Sequence, residues 1–484
     1  MRILLVYANR SKLLLPAPPI GLAHVAEATR AAGYDVRLLD LFGRSAGNGL
    51  RRALSEWHPD VVGVSVRNLD TTIAQRPASH LDEVASLFAA IRRKSRAYLV
   101  VGGPAVTILG ARALAHLPAD AAVLGEGEEA FPALLAALGS GRDPGLVPGV
   151  ATSPTARPTP PERLPSFGRS HLERWIDWRA YERAGSTWPI QTRRGCPLGC
   201  VHCVYAAVEG CAVRARSAGE VVEEIAEVAA AVGPRCFEFV DSSFNVPPEP
   251  ALELCEAIVR RGLRVALTCS SVNPATLSPE LLALMRRAGF NSMMLSPESA
   301  SDEVLAALGK GFSAMDVARA ADAARSAAMP SGWFFMLGGP GETERSADET
   351  MSFIERKLDW PGTLVIVTTG IRVLPGSALA PRAVAEGTLD PADDLARPTF
   401  YLSPRVTQEA LLARVNAAVD RRPNVVHAAE QDSVTERAVA RALAASGVAP
   451  PAWRFLPAVL RWRPLRAWRR REARRRPFST LQAH

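Results

Sequence analysis

Twice along this chain of 484 residues, short apolar runs ending in turn residues alternate with amphipathic helical segments. That alternation restricts the fold to parallel α/β architectures. In the first series the runs are Arg2 to Tyr7, Asp35 to Leu41, Asp60 to Val66, Ala97 to Val101 and Ala121 to Leu124. Pro18-Pro19 opens a helix over Ile20 to Ala32, and Gly33 ends it. The second series begins near Trp188, with strands expected at 189–193, 236–241, 264–269, 291–296, 332–337 and 364–372. Helices are expected at 219–232, 250–261 and 279–288, as a pair over 301–327, and at 344–357. The expected division is a Rossmann-like domain over 1–138, a linker over 139–186 and a partial (β/α)6 barrel over 187–378. A small helical C-terminal cap over 379–450 and an Arg/Trp-rich tail over 451–484 follow.

Sheets of both kinds place ligands beyond the carboxyl ends of their strands. In the first series those positions hold Asn9, Arg67-Asn68, Gly102-Gly103-Pro104 and Gly125-Glu126-Gly127-Glu128. Neither G-x-G-x-x-G nor G-x-x-x-x-G-K-[ST] occurs, so the dinucleotide and P-loop readings lack their fingerprints. The glycines instead allow a backbone to approach something large.

In the second series the loop after the first strand reads Cys196-Pro197-Leu198-Gly199-Cys200-Val201-His202-Cys203, a C-x3-C-x2-C spacing. Three thiolates on a four-iron cluster leave one iron open, which suits a catalytic cluster rather than an electron carrier. Zinc held by the three thiols and His202 is the alternative, but structural zinc sites usually pair two short Cys spacings, and no second pair exists. Cys211, Cys236, Cys255 and Cys269 read as core or near-site residues.

An odd total of seven cysteines, three of them clustered, argues for a reducing interior and a cytoplasmic location. The run Ile3 to Ala8 is too short for a signal peptide, and no window approaches 18 uninterrupted apolar residues. The formal charge of +8 is local: ten arginines against one glutamate between 454 and 476 carry +9, leaving −1 for everything else. The body is thus near neutral, which gives no argument for nucleic acid as its main ligand. Trp453, Trp462 and Trp468 interleave the arginines, a composition suited to a solvated tail, an anionic surface or an acidic partner.

Taken together, the motifs resemble the cobalamin-dependent radical SAM enzymes of the class B methyltransferase type, over residues 1 to about 402. Pro18-Pro19-Ile20-Gly21-Leu22-Ala23 is similar to the helix entry of their cobalamin domain, and Val101 to Pro104 with Gly125 to Glu128 resembles its later corrin-facing loops. Arg214 to Ser217 with Val221-Val222 and Glu224-Ile225, then Pro297-Glu298-Ser299, Leu337 to Thr343 and Leu374 to Ser377, resemble successive barrel motifs. The resemblance implies a Rossmann-like cobalamin-binding domain followed by a partial (β/α)6 radical SAM barrel. It also implies three cofactors: a [4Fe-4S] cluster, S-adenosyl-L-methionine (SAM) and cobalamin.

Under that resemblance Cys196, Cys200 and Cys203 hold the cluster irons, with SAM on the fourth. Tyr205, Asp241, Glu298, Ser299, Gly338 and Gly339 are the expected SAM contacts, and Asn9, Arg67, Asn68, Gly102, Gly103, Gly125 and Glu126 the expected cobalamin contacts. No D-x-H-x-x-G motif is present, so cobalt would lack a histidine ligand, and His24 reads as a core or surface residue. Arg67 could oppose an axial ligand below the corrin or pair with Asp70.

The implied reaction moves a methyl group from SAM, by way of methylcobalamin, to an unactivated carbon of a small molecule in secondary metabolism. An external donor such as flavodoxin or ferredoxin would supply electrons. A cyclase or rearrangement enzyme, non-radical methyl transfer to an aromatic carbon, and a cofactor sensor acting through the Arg/Trp tail are the alternatives.

Overall fold

β1 (Arg2–Tyr7) is buried on both faces: Ile3, Leu5 and Tyr7 point one way, Leu4 and Val6 the other. A strand of that kind needs a layer on each side. Helices Ile20–Ala31 and Gly127–Gly139 supply one through Leu22, Ala26, Phe131 and Leu134; helix Leu81–Arg92 supplies the other through Val84 and Phe88. The remaining strands are β2 (Asp35–Asp40), β3 (Val61–Ser65), β4 (Tyr98–Gly102), β5 (Ala121–Val123) and β6 (Val150–Ala151), in the order β2-β1-β3-β4-β5-β6. All pair parallel except β6, which runs antiparallel to β5. Because β1 lies between β2 and β3, the chain changes winding direction there, and the crevice opens beyond the carboxyl ends of β1 and β3.

The computed structural model of the protein describes residues 1–9, 16–42, 46–430, 434–462, 464, 465 and 467. The expected linker is more built than its composition suggests. It contributes β6 and helix Trp178–Arg183, whose Tyr181 stacks on Phe42 at 4.4 Å and donates from its hydroxyl to Asp40 Oδ2 at 2.6 Å. Trp178 meets Trp188 edge-on at 5.0 Å, so the stretch is packed against both domains rather than acting as a spacer.

The second sheet holds seven parallel strands: β7 (Trp188–Ile190), β10 (Phe237–Phe239), β11 (Leu267–Val272), β12 (Phe290–Glu298), β13 (Ser331–Leu337), β14 (Thr363–Thr369) and β17 (Val425–His427). They lie side by side in chain order, with β7 and β17 as unjoined edges. Two ribbons stand apart, β8 (Arg193–Arg194) with β9 (Arg214–Ala215) and β15 (Ile371–Arg372) with β16 (Phe400–Tyr401). The helices between strands start where side chains cap them. Ser217 with Glu220, Ser313 with Asp316 and Thr343 with Ser346 form capping boxes, and Ser278 accepts from Leu281 N.

Two expectations for the C-terminal region need correction. Residues 405–427 do not cap the barrel mouth: helix Gln408–Arg421 buries Leu411, Val415 and Ala418 in the barrel core, and β17 extends the sheet beyond the expected six strands. The tail boundary at 451 is also displaced. Trp453, Leu456 and Leu460 pack on Leu364, Ile366 and Val426, a well-formed apolar cluster. The arginine run over 468–484 lies outside the described residues.

Candidate active site

The carboxyl ends of both sheets open onto one cavity of about 750 Å³. Its N-terminal-domain wall includes Leu5, Tyr7, Arg67, Gly102, Gly103 and Phe131, and its barrel wall includes Cys196, Cys200, Cys203, Glu238, Glu298 and Lys310. Gly103 is needed for this wall: its φ of +98° is in the left-handed range, and a Cβ there would sit 2.7 Å from Val66 O.

The cysteine loop is held by its backbone. Cys196 N donates to Gly210 O at 2.9 Å, Cys203 N to Cys200 O at 3.1 Å and Val201 N to Leu308 O at 3.0 Å, while Val201 O accepts from Leu379 N at 2.8 Å. Gly195, at φ +96°, allows an approach in which a Cβ would be 2.1 Å from Ala212 O. None of the three thiols is in a disulfide, and burial pushes the pKa of each one up while Lys310 pulls it down.

Asp241 lines the cavity but is already committed. Its oxygens accept from Thr192 N at 2.7 Å, Thr192 Oγ1 at 2.6 Å and Arg193 N at 3.1 Å, so it anchors the chain entering the cysteine loop instead of standing free for SAM. Burial pushes its pKa up to about 6. Glu298 ends β12 with a left-handed φ of +70°, and burial raises its pKa to about 7 against the pull of Lys310, whose Nζ lies 3.6 Å away. Tyr205 is on the wall and about half exposed to the cavity.

Three of the expected SAM contacts are elsewhere. Ser299 is fully buried, sharing a hydrogen bond with Thr350 and accepting from Ser301 N. A Cβ on Gly338 would lie 2.5 Å from Leu402 and one on Gly339 3.1 Å from Ile371, so these glycines allow close packing behind the site. Neither lines the cavity.

On the other wall, Gly102, Gly103, Gly125, Glu126 and Arg67 face the cavity, whereas Asn9 and Asn68 do not. Asn9 instead donates to the Tyr7 hydroxyl at 3.1 Å, and that hydroxyl donates to Ala17 O. Asp70 pairs with Arg372 at 2.7 Å, which answers the Arg67 question in part: Arg67 has no carboxylate within 4 Å among the described residues. His24 is buried edge-on against Phe167 and off the wall.

Glu126 serves a purpose the sequence did not suggest. It accepts from Arg214 and from Leu164 N at 3.3 Å, with Arg194 3.5 Å and Arg163 3.8 Å away, while Arg194 also pairs with Glu128 at 2.7 Å. Glu209, Ser242 and Lys310 were likewise missed. Glu209 accepts from Gly195 N and from Ser242, tying the cysteine loop to the loop after β10. The G-K-G setting of Lys310 was the available signal for that residue.

Residues 190–354 match the radical SAM superfamily, and residues 8–135 match the B12 binding domain. The chain belongs to the cobalamin-dependent radical SAM enzymes. Among relatives of this family, an uncharacterised methyltransferase of Pyrococcus horikoshii is 27% identical over 387 residues, covering 77% of this chain and 80% of that protein. The hopanoid C-3 methylase of Methylococcus capsulatus is 29% identical over 325 residues, covering 64% of this chain and 60% of that protein. The structure of the radical SAM methyltransferase TsrM from Kitasatospora setae, with cobalamin and a [4Fe-4S] cluster bound, superposes with a TM-score of 0.81 at 23% identity, covering 98% and 99% of the two chains.

The residues present fit the cofactors of a cobalamin-dependent radical SAM enzyme. Among the described residues no three His, Cys, Asp or Glu groups converge on a single metal ion. Three unpaired thiols spread along one cavity-facing loop suit a cluster, in which each sulfur takes a different iron. A glycine-bordered opening over the apolar Leu5, Val100, Val123 and Phe131 suits a broad ring system with an appended tail. No described helix is long and apolar enough to cross a membrane.

Proposed function

We propose that the protein transfers a methyl group from SAM, through cobalamin, to an unactivated carbon of a small-molecule substrate. The observation that carries this reading is the single cavity shared by the three cysteines and the carboxyl ends of β1, β3 and β4. When bound, the cluster and cobalamin supply one-electron cleavage of SAM and methyl relay respectively. The chain's own residues orient and enclose. Cys196, Cys200 and Cys203 would hold the irons, Glu298 and Tyr205 would border SAM, and Arg67 with Gly102 and Gly103 would face the corrin, since all of them line the one cavity.

The barrel floor supplies the substrate contacts. Glu238 accepts from Thr187 and from Ser270 Oγ at 3.0 Å with no basic side chain within 4 Å among the described residues. It lines the cavity, so a substrate bearing N–H or O–H groups is the chemistry this floor accommodates. A low-potential flavodoxin or ferredoxin is the proposed electron source. Seven cysteines outside any disulfide accord with a reducing, cytoplasmic setting.

The test is anaerobic turnover with SAM carrying a deuterated methyl group. Label in a product together with 5′-deoxyadenosine supports radical methylation. Label without 5′-deoxyadenosine moves the reading to polar transfer onto an electron-rich carbon, and 5′-deoxyadenosine without label moves it to cyclisation or rearrangement.

A further inference from the structure

After helix Asp302–Ala307 the chain turns back onto the cysteine loop. Val201 N donates to Leu308 O, and Gly309, at φ +66°, brings the two backbones so close that a Cβ would stand 2.6 Å from Gly199 O. The next residue, Lys310, is thereby delivered to the wall of the cavity that Cys196, Cys200 and Cys203 also line, with Glu298 3.6 Å away.

The Lys310 side chain is 8% exposed, which is unusual for an ammonium and costly without partners. It has few: Nζ donates to Ser296 O at 2.9 Å, lies 3.6 Å from Glu298 Oε1 and 5.6 Å from the Phe312 ring. Among the charges acting on the thiols, Glu209 acts on Cys196 and Glu298 on Cys200 and Cys203, whereas Lys310 acts on all three. Arg194, another cation of the wall, is taken by Glu126 and Glu128.

We propose that Lys310 is a positioning residue for the cluster, a buried counter-charge fixed by the Gly199–Gly309 contact that sets the potential at which the cluster accepts an electron. The proposal rests on the cluster reading given above. Reduction adds one negative charge next to three thiolates and Glu298, and a desolvated cation there favours the reduced state. The electron comes from outside the protein and stays on the cluster until SAM takes it. Without Lys310 the same donor would reduce a smaller share of the cluster.

The experiment compares wild type, Lys310→Met and Lys310→Arg, each reconstituted anaerobically with iron and sulfide, by iron content and by EPR-monitored titration with dithionite and titanium(III) citrate. In Lys310→Met the midpoint is expected to move negative, lowering the reduced-to-oxidised ratio at a fixed poise about tenfold, or 59 mV for one electron. Lys310→Arg should recover most of that shift. Full iron with an unmoved midpoint in Lys310→Met overturns the proposal. Should Lys310→Met fail to load iron, Lys310→Gln supplies the same test with a side chain that can still donate to Ser296 O, because its midpoint must also move negative and an unmoved one overturns the proposal. A wild type that binds no iron would instead sink the cluster reading, so the two failures are distinguishable.

Discussion

Arg214 grips Glu126 across the domain boundary: Nη1 donates to Oε2 at 3.0 Å and Nη2 to Oε1, a two-pronged contact between the chain that leaves the cysteine loop and the loop after β5. With Arg194 and Glu128 it forms a charge network that joins the cluster-bearing loop to the cobalamin-facing wall. The side chains of Glu126 and Arg214 are only 9% and 11% exposed, so the pair is sheltered from the screening that weakens surface ion pairs.

Removing Glu126 leaves Arg214 without a carboxylate in a sheltered place, whereas removing Arg214 leaves Glu126 with Arg194 and Arg163. Glu126→Ala is therefore expected to cost more than Arg214→Ala, at about 3 kcal/mol. Urea denaturation of the single and double variants checks this, and equal costs with no coupling would contradict it.

Gly103→Ala forces a side chain onto a left-handed backbone and toward Val66 O. Expected outcomes are a stability loss of about 1 kcal/mol or more and poor cobalamin retention after gel filtration. A variant that keeps wild-type stability and cobalamin would show that this turn is not needed for the wall.

Asp241 gives a pH dependence with a defined sign. Its folded-state pKa, about 6, lies above the ordinary aspartate value, so its contribution is fully present below about pH 4 and is lost as pH rises through 6. The stability of wild type minus that of Asp241→Asn should fall by up to about 3 kcal/mol between pH 4 and pH 7 in the metal-free protein. A difference that rises over this window would refute the burial assigned to this carboxyl.

Trp453 tests the revised C-terminal boundary. It is 4% exposed and packs with Leu364, Ile366 and Val426, so Trp453→Ala should cost about 3–5 kcal/mol. A near-neutral effect on thermal or chemical unfolding would return residues 452–460 to the tail.

The legible parts of this protein were those whose cause is local. Helices Pro279–Ala288 and Glu344–Lys357 have the expected bounds, because Ser278 and Thr343 bind the first turns directly. The cysteine spacing and the glycine turns at the strand ends likewise lie within single loops. What escaped was decided by distant contacts. β17 is three residues long and identifiable only by pairing with β14, and Trp453 reads as a tail residue until Ile366 and Val426 are seen beneath it. Gly338 and Gly339 fit a cofactor turn in sequence, yet Leu402 and Ile371, more than 30 residues on, are what they make room for. Glu126 followed the same pattern, since its partners come from the linker, from β8 and from β9.

The shared cavity is tested most directly by anaerobic reconstitution with iron, sulfide and hydroxocobalamin, beside the Cys196/Cys200/Cys203→Ala triple variant. The wild type should hold about four irons, as one [4Fe-4S] cluster requires, and one cobalamin, and the triple variant should lose the iron and keep the cobalamin. Iron without cobalamin in the wild type, or iron retained by the triple variant, would contradict the assignment of the two walls.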